Sequence, residues 1–177
     1  MVSTGALIIL AILALSVFLW PTYIMLADLM GAPYVPVEPE VVKRILELAE
    51  VKKGEVFYDL GSGDGRVVIG AALKGARAYG VEIDPFRAWY SRFWLKLLRL
   101  KQARIIRKDF FDVDLSKADV VCFFLLPETN RKLEKKLRRE LKKGARVVSV
   151  SFPVPGWRPV AVDPRGPIYG PIRLYQV

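Results

Sequence analysis

The stretch 55–84, EVFYDLGSGDGRVVIGAALKGARAYGVEID, constrains the fold more than any other part of the chain. An apolar, β-rich run (Val56, Phe57, Tyr58) ends in Asp59-Leu60-Gly61-Ser62-Gly63-Asp64-Gly65. A short apolar helical segment follows, then a second strand from Ala78 to Val81 that ends at Glu82. Strand, glycine turn, helix and parallel strand make one βαβ unit with a ligand loop at the first strand's carboxyl end. The glycines are spaced G-x-G-x-G, and Arg66 stands where a dinucleotide fingerprint requires its third glycine. The loop is also acidic, with Asp59 before it and Asp64 within it. Carboxylates repel a pyrophosphate but attract a sulfonium and an α-amino group. Glu82 is positioned for a pair of ribose hydroxyls. A ribose and a cation without a phosphate describe S-adenosylmethionine, the expected cofactor. A ligand-free turn or an NAD-type Rossmann domain is the alternative reading.

The chain has 177 residues, enough for one domain with a real core. It has one cysteine, Cys122, in an apolar run, which reads as a core residue and excludes a disulfide framework. It has no histidine, so the commonest general base is absent and no cysteine–histidine metal cluster can form. No metal is expected. Any proton removal falls to a carboxylate, a tyrosine, a backbone carbonyl or water. The net charge of +10 suits anionic partners such as nucleic acid, anionic lipid or acidic proteins, or simply a well-solvated surface.

Residues 5–27, GALIILAILALSVFLWPTYIMLA, carry no charge. At about 1.5 Å per residue they would span about 34 Å, against about 30 Å of hydrocarbon. A single transmembrane helix through the lipid bilayer is expected here, within an anchor at 1–28, with a kink at Pro21 and with Trp20 and Tyr23 at the interface. A signal peptide is the main competitor, but Met1 to Thr4 supply no basic start. All basic residues follow, from Lys43 and Arg44 on, which places the catalytic domain on the cytoplasmic side of a single-pass membrane protein. A proline-rich linker at 29–40 comes next, and a domain at 41–177. Tyr34-Val35-Pro36 is either a spacer or a lid over the cofactor.

Pro39 starts a helix with Val41, Val42, Ile45, Leu46 and Ala49 on one stripe. Pro85 starts another, to about Leu100, with Trp89, Phe93 and Leu97 expected inward. A third strand, Arg104 to Arg107, leads to Asp109-Phe110-Phe111, which reads either as an adenine contact or as a loop carboxylate beside core rings. Asp119 to Leu126 is continuously apolar, as a central parallel strand should be. Pro127-Glu128-Thr129-Asn130 follows, where the methyl would be transferred; the Asn/Asp-Pro-Pro-Tyr/Phe motif of adenine-N6 enzymes is absent. A helix with Leu133, Leu137 and Leu141 on one face follows, and nine basic residues against two acids lie between Arg131 and Arg146. That excess reads as a solvated face, or as an anionic membrane contact. Ala145 to Phe152 is a fifth strand, and Arg158–Val162 with Ile172–Gln176 form a closing hairpin.

The ordered set YVPVEPEVV, VFYDLGSGDGRVVI, GVEID, DFF, LSKADVVCFFLLPETN and PGW resembles the small membrane-tethered protein-lysine methyltransferases over roughly residues 30 to 157. That family includes the mitochondrial ATP synthase c-subunit lysine methyltransferase and archaeal relatives. The resemblance implies an α/β class I methyltransferase sheet, Rossmann-like and mostly parallel with a C-terminal antiparallel hairpin, behind one transmembrane helix. It implies methylation of protein lysines, with a membrane complex among the candidate substrates. It makes Asp59, Gly61, Ser62, Gly63, Asp64 and Gly65 the methionine-end loop, Glu82 with Ile83 the ribose end, and Asp109 and Phe110 the adenine contacts. Tyr34, Val35 and Pro36 would cover the cofactor. Leu126, Pro127, Glu128 and Trp157 would line the acceptor channel, with Glu128 or Tyr34 orienting the amine. An RNA acceptor, a lipid or quinone acceptor, or a non-catalytic membrane-bound module, stands as the alternative.

Overall fold

The computed structural model describes residues 3–29, 35–168 and 170–177, excluding the side chains of 12, 13, 18 and 20–29. The chain divides into two compact units, Met1–Val35 and Pro36–Val177. The first unit contains α1 (Thr4–Leu29), 26 residues long. Among the described residues no helix is long and apolar enough to cross a membrane. The side chains of Trp20, Pro21 and Tyr23 lie outside the described residues, as does Tyr34.

The second unit is one seven-stranded sheet in the order β3-β2-β1-β4-β5-β7-β6. Its elements are α2 (Pro39–Leu48), β1 (Val56–Leu60), α3 (Arg66–Leu73), β2 (Arg77–Glu82), α4 (Pro85–Leu97), β3 (Ala103–Arg107), β4 (Val120–Phe123), α5 (Pro127–Glu140), β5 (Arg146–Val150), β6 (Ala161–Asp163) and β7 (Ile172–Gln176). Strands β3, β2, β1, β4 and β5 run parallel, and β7 is antiparallel to both β5 and β6. The strand order reverses between β1 and β4, which opens a crevice at their carboxyl ends. The expected closing hairpin forms, with β7 between β5 and the edge strand β6.

Two apolar cores sandwich the sheet. One packs α2, α3 and the inner face of α4 on the sheet; the expected stripe Val41, Val42, Ile45, Leu46 and Ala49 belongs to it. The other packs α5 through Leu133, Leu137 and Leu141, together with Leu115 and Val154. Every buried residue of both cores lies between Val37 and Tyr175, so residues 36–177 form one compact unit that holds all of this apolar burial, which is what independent folding of a domain requires.

Two sequence expectations give way. The apolar run from Asp119 to Leu126 is a strand only over Val120–Phe123. Its ladder runs out because its neighbour β1 ends at Leu60, the partner of Phe123, where Gly61 turns the chain away. The other correction is α4, whose inner face is Ala88, Ser91 and Leu95, while Trp89, Phe93 and Leu97 face outward. Helical periodicity marks the aromatic stripe but not its direction. Here a Cβ on Gly65 would lie 3.0 Å from Ser91 Cβ, an approach that excludes rings from this contact.

Candidate functional site

The loop between β1 and α3 takes its shape from three glycines with positive φ: Gly61 at 76°, Gly63 at 54° and Gly65 at 81°. A side chain is strained at each of these angles, so the alternation of glycines is a backbone requirement. Gly61 and Ser62 N–H both donate to Val81 O, at 2.9 and 3.0 Å, and seat the loop on the end of β2. Gly65 caps α3, whose first N–H, that of Arg66, donates to Asp64 Oδ1 at 3.2 Å. Below the loop the sheet comes very close: a Cβ on Gly80 would lie 2.6 Å from Ser62 Oγ. The Ser62 hydroxyl therefore points toward the sheet, buried and without a hydrogen-bond partner, and Ser62 offers the crevice only its backbone.

Glu82 stands at the end of β2 with both oxygens engaged: Oε2 accepts from Gly63 N–H and Oε1 from Asp84 N–H, each at 2.8 Å. Each oxygen keeps a further lone pair for a ligand hydroxyl. The carboxylate thus holds the glycine loop and the start of α4 in one piece, an arrangement completed by Ser91, whose Oγ lies 2.8 Å from both Gly63 O and Arg87 O. Burial raises the Glu82 pKa, opposed by the two backbone donors. Asp59, near the end of β1, is buried, and its pKa rises to about 8 through burial first, then the charges of Glu82 and Asp64. Burial and the neighbouring charges hold Asp59 largely protonated near neutral pH, and a cation placed beside it would favour its ionised form.

Asp64 behaves differently. It is paired with Arg66 through Nε at 3.0 and 2.9 Å and through a salt bridge, and Arg66 in turn donates to Val37 O. Its carboxylate is therefore neutralised locally, and the clamp ties the backbone just after Pro36 to the loop. Val35 closes the first unit and Pro36 opens the second. Ile83 is exposed directly after Glu82.

Asp109 and Phe110 follow β3. Asp109 Oδ1 accepts from Phe111 N–H at 2.9 Å and caps a short 3-10 turn, leaving Oδ2 available, and Phe110 is half-buried against the second core. Leu126 is the residue before α5, and Pro127 begins the helix. Glu128 is on the surface in an ion pair with Arg131 at 2.8 Å, its side chain 74% exposed. Trp157 Nε1 donates to Glu134 at 2.9 Å, its ring meets Tyr175 edge-on, and Arg138 lies over it. Glu134 is six residues beyond Glu128, about 9 Å along the helix axis. The expected channel partners Glu128 and Trp157 are therefore not brought together. Trp157 instead fastens the loop after β5 to the middle of α5.

Sequence reasoning assigned no role to three residues that the fold uses. Leu125 packs its methyls over Gly61, where a Cβ would lie 3.2 Å away. Ser91 locks the loop to α4. Asn130, buried, donates from Nδ2 to Phe152 O and Pro153 O, at 3.3 and 3.2 Å, and its Oδ1 has no partner. Only Asn130 had a signal, as a polar residue in the first turn of α5. Cys122 is a core residue as expected, its thiol pushed well up by burial and the nearby Asp59.

Residues 59–161 match the family model described as the ANTKMT methyltransferase domain, more than half of the chain. The chain belongs to this family. Among its relatives, a protein-lysine N-methyltransferase of Saccharolobus islandicus is 44% identical over 133 residues, 73% of this chain and 83% of that protein. The ATP synthase c-subunit lysine N-methyltransferase of Xenopus laevis is 40% identical over 129 residues, 72% of this chain and 56% of that protein. The chain thus spans little more than half of the animal enzyme. A crystal structure described as an RNA methyltransferase from Salinibacter ruber, in complex with S-adenosyl-L-homocysteine, is 38% identical, with a TM-score of 0.76 and coverage of 81% of this chain and 94% of that one. The protein is an S-adenosylmethionine-dependent methyltransferase of the class I fold. The residues in its crevice fit that cofactor. The glycine cradle admits close backbone approach, Glu82 retains acceptor lone pairs, and Asp59 is a buried carboxyl that a cation would bring to its ionised form.

Proposed function

We propose that this methyltransferase acts on the ε-amino group of lysine in a protein. The observation that carries this reading is the 44% identity to a protein-lysine N-methyltransferase across most of that protein's length. The site is consistent with it. Asp59 and the backbone of Gly61, Ser62, Gly63 and Gly65 hold the methionine end, Glu82 with Ile83 the ribose, and Asp109 with Phe110 the adenine. Asp64 contributes through Arg66, which donates to Val37 O and so holds the start of the catalytic unit at the loop. Leu125, Leu126 and Pro127 form the apolar entrance to the transfer point, and Glu128 lies at its rim.

Bound there, S-adenosylmethionine supplies an electrophilic methyl on a sulfonium. The chain's part is positioning, with the amine held in line and water kept out. A lysine with a free pKa near 10.4 loses about 4–5 kcal/mol to deprotonation at pH 7. Without histidine the chain relies on desolvation by the apolar entrance to lower that pKa. Asn130, buried in the same turn of α5, steadies the acceptor side by tying the helix to Phe152 O and Pro153 O.

The test is label transfer. The full chain is incubated with methyl-labelled S-adenosylmethionine and cell lysate, and the product is treated with protease, ribonuclease or solvent. Protease-sensitive label that hydrolyses to methyl-lysine is expected. Ribonuclease-sensitive label would favour the second reading, an RNA acceptor, which the Salinibacter ruber structure and the +10 charge support. Solvent-extractable label would point to a lipid.

We also propose that α1 anchors the chain in a membrane with the catalytic unit on the cytoplasmic side. The uncharged run 5–27 and the first basic residues at Lys43 and Arg44 support this. Full-length chain that stays with membranes through alkaline extraction, while residues 36–177 are released, is the expected result. Release of both overturns it.

A further inference from the structure

The outward face of α4 is aromatic. Phe86, Trp89, Tyr90, Phe93 and Leu97 are all exposed, Trp89 to 60% and Phe93 to 49%. At about 100° per residue these five fall in one sector, roughly opposite the buried Ala88, Ser91 and Leu95. Their rings lean on one another, with centroids 5.9 Å apart for Phe86–Trp89 and 6.2 Å for Trp89–Phe93. They form a ridge along the crest of the helix, turned directly away from the sheet.

A basic groove flanks the ridge. Between the second half of α4 and the edge strand β3 lies a cleft of about 560 Å³. Its lining includes Arg92, Lys96, Arg99, Lys101 and Arg104 and no acidic residue. Arg92 donates to Ile105 O and covers the open edge of β3. The other four are in no salt bridge among the described residues. The longer basic run on and after α5 is different. Six of its nine cations, Arg131, Lys136, Arg138, Arg139, Lys142 and Arg146, are each paired with a carboxylate, and only Lys132, Lys135 and Lys143 are in no salt bridge among the described residues. The groove therefore carries four cations that no carboxylate pairs, directly beside the aromatic ridge.

We propose that the outer face of α4 and the groove beside it are a docking surface for an anionic lipid bilayer, a contact made by the catalytic unit itself and separate from any anchoring by α1. Rings and aliphatic side chains on one helix crest, with Trp and Tyr among them, suit the headgroup–acyl boundary, and a cationic flank suits anionic headgroups. A single-stranded nucleic acid would need its bases stacked along a groove beside its phosphates. Here the rings stand on a convex ridge and the cations line the groove next to it. The surface sits on the helix that Ser91 and Asp84 tie to the glycine loop, so docking would set the cofactor crevice at a fixed height above the lipid.

Residues 36–177, which hold both cores, are the material for the test. Their binding to phosphatidylcholine vesicles with and without phosphatidylglycerol is followed by co-sedimentation and tryptophan emission. Binding only to the phosphatidylglycerol vesicles is expected, with a blue shift in emission and weakening by salt. A Trp89→Ser/Phe93→Ser double variant should bind roughly tenfold more weakly or worse. A Lys96→Gln/Arg99→Gln double variant should lose about fivefold per cation removed. Both should keep the parent's melting temperature and its affinity for S-adenosylhomocysteine. Absence of vesicle binding, or undiminished binding by both variants, overturns the proposal. So does a dimer that Trp89→Ser/Phe93→Ser dissolves, which would give the face to a second copy, or retention of single-stranded RNA without vesicle binding.

Discussion

Asp59 is the most informative single position. Its pKa of about 8 follows from burial, reinforced by Glu82 and Asp64, so at pH 7 about nine-tenths of the folded, ligand-free protein carries a neutral Asp59. The unfolded chain has an ordinary carboxyl, near 3.9. Between about pH 4 and pH 8 the folded state therefore binds more protons than the unfolded state, and stability falls as pH rises through that window. The slope is about 1.4 kcal/mol per pH unit, with an upper limit of roughly 5–6 kcal/mol across the window. The carboxylates with lowered values (Asp114, Asp119, Glu134, Glu140, Asp163) lose their stabilising contribution only as pH falls below the ordinary carboxylate range, so from pH 5.5 to 8 the slope comes from the raised carboxyls, Asp59 and Glu82, and the comparison with Asp59→Asn gives the Asp59 share. Asp59→Asn removes the Asp59 part of that slope. The variant should gain stability relative to the parent as pH rises from 5.5 to 8, read from urea unfolding at each pH. The cofactor carries the complementary charge. If it binds the ionised carboxyl, S-adenosylmethionine binding at pH 7 releases about 0.9 proton, and affinity rises about tenfold from pH 6 to pH 7. Titration calorimetry in buffers of different ionisation enthalpy reads the proton count. In Asp59→Asn both effects should vanish. Parent protein that releases no proton, with affinity flat over this range, would refute the electrostatic account of the loop.

The other predictions concern the loop and the acceptor side. Gly65→Ala meets both a φ of 81° and a Cβ 3.0 Å from Ser91 Cβ. It should lose about 1–3 kcal/mol in urea unfolding together with cofactor affinity, and an unchanged midpoint would contradict the packing argument. Glu128→Gln should methylate within about twofold of the parent rate, since Glu128 is a surface partner of Arg131. A turnover defect at intact cofactor affinity would restore the carboxylate to the chemistry. Trp157→Phe loses the bond to Glu134 and should cost about 1 kcal/mol. It should also let the Glu134 carboxyl drift back up toward its ordinary value, visible by NMR titration, while leaving S-adenosylhomocysteine affinity unchanged.

Much of this protein could be read along the chain because the relevant constraints are local. Positive φ at alternate positions demands Gly61, Gly63 and Gly65, and a strand-end acid at Glu82 follows one helix later, so loop, cofactor and central βαβ unit follow from spacing alone. Proline at the first turn marks the starts of α2, α4 and α5 for an equally local reason, its fixed φ. Direction and partnership are not local. The stripe on α4 has the right period, but whether it faces in or out depends on how closely Gly65 lets Ser91 approach, and that is decided by another element. The charge on Asp64 is visible in the sequence, but its neutralisation by Arg66 is a matter of side-chain placement. The run after Asp119 stays apolar well past Phe123, yet the strand ends where β1 has no further residue to pair. Glu128 and Trp157 looked like companions on one channel and are separated by nearly two turns of α5. The sequence by itself determined the backbone chemistry of the loop and hence the class of ligand. Tertiary structure alone decided which carboxyl stays buried and unpaired and which aromatic face meets the solvent, because both depend on contacts between residues far apart in the chain.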